Sequence, residues 1–142
     1  MSQEGQNGND RIVVFTCNWN PYSALEAAAR QGETYPANVY PIRVMCLGRL
    51  QPGIILKALE QGASGVLLLG CPPDECHYES GNTHAEEVFH KTQALARLLG
   101  LRDEQLGFDW VAVGDGQAFA EKVTAFATAA GGNGTQIDAD TR

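Results

Sequence analysis

Apolar residues along this chain fall into two alternating rhythms. Short, nearly unbroken runs occur at Arg11–Cys17 (RIVVFTC), Val39–Cys46 (VYPIRVMC), Gly65–Gly70 (GVLLLG) and Phe108–Val113 (FDWVAV). They are rich in β-branched and aliphatic side chains and read as strands, the third as one covered on both faces. Between them the apolar positions space out at helical intervals. Ser23 followed by Glu26 reads as a capping box that opens an Ala-rich helix ending at Gly32. Pro52 suits a first helical position, Ile54, Ile55, Leu56 and Leu59 form an apolar face, and Gly62 ends that helix. Thr83 with Glu86 reads as a second capping box, and Val88, Phe89, Leu95, Leu98 and Leu99 run along the longest helix to Gly100. A last helix starts near Asp115–Gly116 and carries Phe119, Val123 and Phe126.

Strand–helix alternation on this scale predicts a single-domain α/β fold: a doubly wound, four-stranded parallel sheet with helices on both faces. The polar start, residues 1–10, reads as a disordered arm, residues 11–130 as the folded domain, and the Gly-rich stretch 131–142 as a disordered tail. A doubly wound sheet binds its ligand beyond the carboxyl ends of its strands, where strand order reverses. That rim is where the chemistry of this sequence lies.

The cysteines change the picture most. Cys17, Cys46 and Cys71 each stand at the end of a strand-like run, and Cys76 lies a loop-length beyond Cys71, across Pro72 and Pro73. Strand ends of a parallel sheet gather at one rim, so these thiols should converge. A 2Fe–2S cluster needs four ligands, commonly all thiolate, and the chain holds four cysteines. Three other readings stay open: a zinc site with all-cysteine ligands, free cysteines acting as small buried hydrophobes, and thiol–disulfide chemistry. Zinc sites usually pair close cysteines, whereas here the ligands spread over a long stretch, and no C-x-x-C occurs.

Composition narrows the field. The chain has 142 residues, enough for a core without staples. A net charge of −7 excludes non-specific binding to nucleic acid or anionic membrane. No apolar run approaches the ~20 residues of a membrane span, and the amino terminus has no signal-peptide pattern. The expectation is a cytoplasmic protein, where clustered thiols stay reduced. No Ser lies in a G-x-S-x-G elbow and no nucleophile–base pair is evident, so no catalytic residue is assigned and electron transfer is the only chemistry supported. His77 is a candidate for a hydrogen bond near the site, Trp19 and Tyr22 for shielding it, and Arg43 and Arg49 for bringing positive charge beside Cys46. Gly114-Asp115-Gly116 lacks the rest of a phosphate-loop pattern.

The segments FTCNWNPY, IRVMCLGR, GVLLLGCPPDECHYESGN and FDWVAVGDGQAFAEKV resemble the delta (iron–sulfur) subunit of the methyl-viologen-reducing hydrogenase family, over about residues 11–127. The resemblance implies one 2Fe–2S cluster held by Cys17, Cys46, Cys71 and Cys76. It implies a non-catalytic electron-transfer subunit on a flavodoxin-like domain, within an anaerobic multi-subunit oxidoreductase. Implied partners are a hydrogenase, formate dehydrogenase or other dehydrogenase subunit on one side and a flavin-containing, electron-bifurcating, heterodisulfide-reductase-like subunit on the other. Methylene-tetrahydrofolate reductases and aromatic acyl-CoA reductase complexes are further hosts that the resemblance allows. The chain departs from the family at two places. Members typically read Cys-Cys-Asn-Trp-Cys where this chain has Thr16-Cys17-Asn18-Trp19-Asn20, so two family cysteines are replaced by Thr16 and Asn20. Because four cysteines remain, a retained cluster is expected; a structural or assembly subunit with zinc or no metal is the alternative.

Overall fold

The computed structural model describes residues 11–47, 50–72 and 81–141, with side chains described from 84 to 130 in the last stretch. Among the described residues four strands alternate with four α-helices: β1 (Ile12–Cys17), α1 (Asn20–Gln31), β2 (Val39–Val44), α2 (Pro52–Glu60), β3 (Gly65–Gly70), α3 (Gly81–Leu98), β4 (Leu106–Trp110) and α4 (Gly116–Thr141). A 3-10 turn, Asp103–Gln105, leads into β4. All strand pairs are parallel, in the order β2-β1-β3-β4. This is the α/β, doubly wound arrangement that the alternating pattern predicts.

Side-chain alternation along the strands divides the core in two. Ile12, Val14, Leu67, Leu69 and Val111 meet Ala24 and Ala28 of α1 and Phe119, Val123, Ala127 and Ala130 of α4. Phe15, Cys17, Val66, Leu68 and Leu106 meet Ile55 and Leu59 of α2 and Ala85 and Val88 of α3 on the other face. The chain therefore leaves β1 through α1 on one face and leaves β3 through α3 on the other. Strand order reverses between β1 and β3, and the crevice between their carboxyl ends is the topological switch point.

Several element boundaries differ from the sequence pattern for local reasons. α1 starts at Asn20, ahead of Ser23: Pro21 sits in its first turn, where a fixed φ favours the helix, and the Ser23 amide donates to the Trp19 carbonyl at 3.0 Å. α3 likewise starts at Gly81, ahead of Thr83. β2 ends at Val44, so Cys46 lies just past the strand and not within it. β4 begins at Leu106, before Phe108, because the Asp103–Gln105 turn delivers the chain in register with Val66. Gly107 lies inside β4, ahead of the apolar run that starts at Phe108. A Cβ there would stand 2.8 Å from the Phe126 ring, so the glycine is what lets α4 lie close.

α3 shows the largest departure. Its core face is made by Ala85, Val88, Thr92 and Ala96, and Thr92 satisfies its hydroxyl by donating to the Val88 carbonyl at 2.7 Å. Leu95, Leu98 and Leu99 are exposed. On α4, Phe119, Ala120, Val123, Ala127 and Ala130 are buried, and residues 131–141 continue as helix past Ala130. Asp115 caps that helix through its carboxylate, which accepts from the Ala118 amide at 3.1 Å, and Gly114 takes a φ of 73° to turn the chain into it. The Gly-Asp-Gly stretch is thereby accounted for as a helix start. No helix among the described residues is long and apolar enough to cross a membrane.

Candidate metal centre

β1 and β3 are neighbours, and their last residues bring two sulfurs together. The Cys17 and Cys71 Sγ atoms are 3.7 Å apart. The cause is topological: Thr16 is in register with Leu69, so the next residues on both strands emerge together at the switch point. Cys17 shares the face of Val13 and Phe15, and the Cys71 side chain turns onto that same face, packed with Leu68, Val88 and Ala85. Cys46 arrives from the end of β2 and is also buried. None of the three is joined in a disulfide. Cys76 and His77 lie outside the described residues, as does Arg49.

The sulfurs are held in an apolar setting. Cys17 and Cys71 are about as inaccessible as the neighbouring leucines, with exposures of 3% and 1%. The Cys17 thiol donates to the Met45 carbonyl at 3.8 Å, which ties the end of β1 to the turn that carries Cys46. Its proton is held far more tightly than an ordinary thiol's. The hydrogen bond shared with Cys71 contributes most, since one proton between two sulfurs resists leaving. Burial adds to it, and negative charge on Cys71 or Cys46 adds further, while a backbone hydrogen bond from Trp19 opposes these. Without a cation, this pair resists becoming two thiolates; a bound metal would supply the missing positive charge and displace the protons.

Thiolates on one tetrahedral ion, with metal–sulfur bonds of about 2.3 Å, stand about 3.8 Å apart. Cys17 and Cys71 already have that spacing. Among the described residues, no group of three or more His, Cys, Asp or Glu side chains is drawn close enough to hold a single ion. The pair therefore fits two ligands of one metal.

The neighbouring candidates sort by strand face. Arg43 is in register with Thr16 and stands on the face opposite Cys17, where its guanidinium lies 4.3 Å over the Tyr22 ring. Arg43 and Tyr22 thus engage each other and not the thiols. Trp19 is half-buried against the thiol-face core. His84 and His90 are not drawn to the thiols: both lie on α3, His84 exposed and His90 beside the Phe89 ring. Thr16 is fully buried on the α1/α4 face, and its hydroxyl donates to the Ile42 carbonyl at 3.3 Å. A residue at position 16 therefore points away from the thiol pair. An aromatic ladder was not evident in the sequence: Phe89 stacks on Phe108 at 5.6 Å, and Phe108 meets Trp110 edge-on at 6.0 Å. Its signal was the alternate placing of 108 and 110 on a strand that starts earlier than the apolar run implies.

The fold and site define an open α/β domain with buried thiols gathered at the switch point of its parallel sheet. The family described as methyl-viologen-reducing hydrogenase, delta subunit, matches residues 12–130, and the chain belongs to that family. It is 37% identical over 126 residues to the iron-sulfur subunit of the F420-non-reducing hydrogenase of Archaeoglobus profundus, covering 89% of this chain and 90% of that protein. It is 36% identical over 114 residues to the F420-non-reducing hydrogenase vhc iron-sulfur subunit of Methanococcus voltae, covering 80% of this chain and 79% of that one. A third relative, one subunit of the ferredoxin:CoB-CoM heterodisulfide reductase of Methanosarcina mazei, is 36% identical over 115 residues. There the match takes in 81% of this chain but 14% of the much longer relative.

Proposed function

We propose that this chain is an electron-transfer subunit that carries one 2Fe–2S cluster on Cys17, Cys46, Cys71 and Cys76. In this reading it relays electrons between a hydrogenase or other dehydrogenase module and a flavin-containing, heterodisulfide-reductase-like subunit. The observation that carries the proposal is the pair of buried sulfurs, 3.7 Å apart at the switch point of the sheet. The names of relatives support it, since two are iron-sulfur subunits of hydrogenases and one belongs to a heterodisulfide reductase.

Cys17 and Cys71 would supply one pair of ligands, and Cys46 with Cys76 the other. A mononuclear zinc site would need its donors all at the spacing of one ion, whereas a binuclear cluster needs that spacing only within pairs. When bound, such a cluster supplies one-electron redox chemistry. The protein's own part is to hold the sulfurs rigidly at strand ends, to exclude water through Phe15, Leu68 and Val88, and to fix the Cys46 turn through the Met45 carbonyl. No substrate bond is made or broken, and the chain ends each transfer as it began.

The test is anaerobic purification with iron, sulfide and zinc analysis and an absorption spectrum before and after dithionite. Equal iron and sulfide, with visible absorption that bleaches on reduction, is the expected result. Stoichiometric zinc, or metal-free protein from strictly anaerobic cells, would overturn it.

A further inference from the structure

β1 ends at Cys17 and α1 begins at Asn20, so only Asn18 and Trp19 separate the first thiol from a helix start. The opening amides of a helix have no carbonyl behind them to accept, and they carry the positive end of its dipole. α1 has no side-chain cap there and no acidic residue in its first turn. Trp19 is its N-cap residue, and the Trp19 amide donates to the Cys17 sulfur. The sulfur accepts as the oxygen of an Asx turn does, from the backbone two residues on. The turn between β1 and α1 is thus closed by the thiol itself.

Another neighbour of that sulfur suits it only while it keeps its proton. The Met45 carbonyl oxygen accepts from the Cys17 thiol at 3.8 Å. A bound metal displaces the proton, and the carbonyl oxygen then faces an anionic sulfur. The bond from Trp19 changes in the opposite sense, because a hydrogen bond to a charged acceptor is about twice as strong as a neutral one. Arg43 takes no share in this, since it is engaged with Tyr22 on the opposite face of the sheet.

We propose that the Trp19 backbone amide is the donor that holds the Cys17 sulfur in its metal-bound, anionic form and raises the reduction potential of the group bound there. This deepens the 2Fe–2S reading above and rests on it. Cluster potential is set in part by hydrogen bonds to the ligand sulfurs. An added electron puts more negative charge on those sulfurs, so a donor on one of them stabilises the reduced form more than the oxidised form. Trp19 acts through Cys17 and so is a positioning residue. Its indole packs against the thiol-face core and is not the group that sets the potential.

The experiment removes that amide and nothing else. A synthetic segment covering residues 1–45, with Trp19 replaced by its α-hydroxy analogue, indolelactic acid, is joined at Cys46 to the rest of the chain by native chemical ligation. The product is the full chain with an ester in place of the Asn18–Trp19 amide. It is refolded anaerobically with iron and sulfide, beside a control ligated in the same way with ordinary tryptophan. At equal iron per chain, redox titration followed by electron paramagnetic resonance should place the potential of the ester chain lower by about 59 mV or more, a tenfold shift of a one-electron couple. A second measurement needs no metal, and it decides the matter should the ester chain hold less iron. In the metal-free recombinant chain, the Trp19 amide proton should exchange with solvent about tenfold more slowly than in Cys17→Ala, with the Leu68 amide of β3 protected alike in both. An ester chain whose potential matches the control at equal iron would overturn the proposal. So would a Trp19 amide that exchanges equally fast with and without Cys17. A control chain that takes up zinc or no iron would sink the 2Fe–2S reading and leave the amide exchange to decide the bond to Cys17.

Discussion

The two faces of the sheet are built from similar aliphatic residues and are finished in opposite ways. On the α1/α4 side the layers are pressed together. A Cβ on Gly116 would lie 2.5 Å from the Ala28 backbone nitrogen, and one on Gly65 would lie 2.6 Å from the Ala130 methyl. Phe119, Val123 and Ile12 are fully buried there, and Tyr35 meets Phe119 edge-on at 5.6 Å. No cysteine among the described residues enters that core. The α2/α3 side holds Cys17 and Cys71, and it leaves Tyr40 and Ile42 of its edge strand uncovered. The contrast shows a division of labour: one face supplies stability through close packing, and the other holds the thiols and presents surface. Thr16 and Cys17 are adjacent in the chain and fall on opposite sides of that division.

The division can be broken from the stable side. Phe119→Ala removes the largest fully buried side chain, and a cavity of that kind costs about 3–5 kcal/mol. Thermal unfolding of the metal-free protein should show a large fall in Tm, while iron bound per folded chain stays unchanged. Gly116→Ala comes next. It forces α1 and α4 apart, at a cost of about 1–3 kcal/mol, read as a shift of the urea midpoint with the cysteines untouched. Loss of iron at full stability in either variant would mean that the faces are not independent.

Thr16 gives the smallest and sharpest probe. Thr16→Val loses the hydrogen bond to the Ile42 carbonyl and should cost about 0.5–1.5 kcal/mol in denaturant titration, with no change in bound iron. Thr16→Cys adds a thiol next to Cys17, yet it should leave the visible spectrum unchanged, because the sulfur enters the α1/α4 core. A new absorption band or extra iron in Thr16→Cys would show that position 16 reaches the thiol side.

Much of this organisation is legible in sequence because it depends on local periodicity. The β-branched runs specify four strands, and alternation with helical spacing specifies parallel connections through both faces. The meeting of Cys17 and Cys71 follows, since adjacent parallel strands end together. What local pattern misses is set by distant neighbours. Leu95, Leu98 and Leu99 have helical spacing but face outward, because α3 packs through small residues that carry little hydropathy signal. Gly107 lies inside β4 where the Phe126 ring comes close, and only that neighbour, far along the chain, shows why a glycine is needed there. Arg43 is close to Cys46 in sequence, but strand register puts it on the other face with Tyr22.

The most direct test of the central claim is electron paramagnetic resonance of the dithionite-reduced, anaerobically purified protein, run beside Cys71→Ser and Cys17→Ser. The sulfurs that stand 3.7 Å apart should act as one unit. Wild type should give the signal of a reduced 2Fe–2S cluster, and both variants should lose it or shift it in the same way, with circular dichroism showing an intact fold. Wild-type protein without a signal, or a Cys71→Ser variant whose signal and iron content match wild type, would contradict the account.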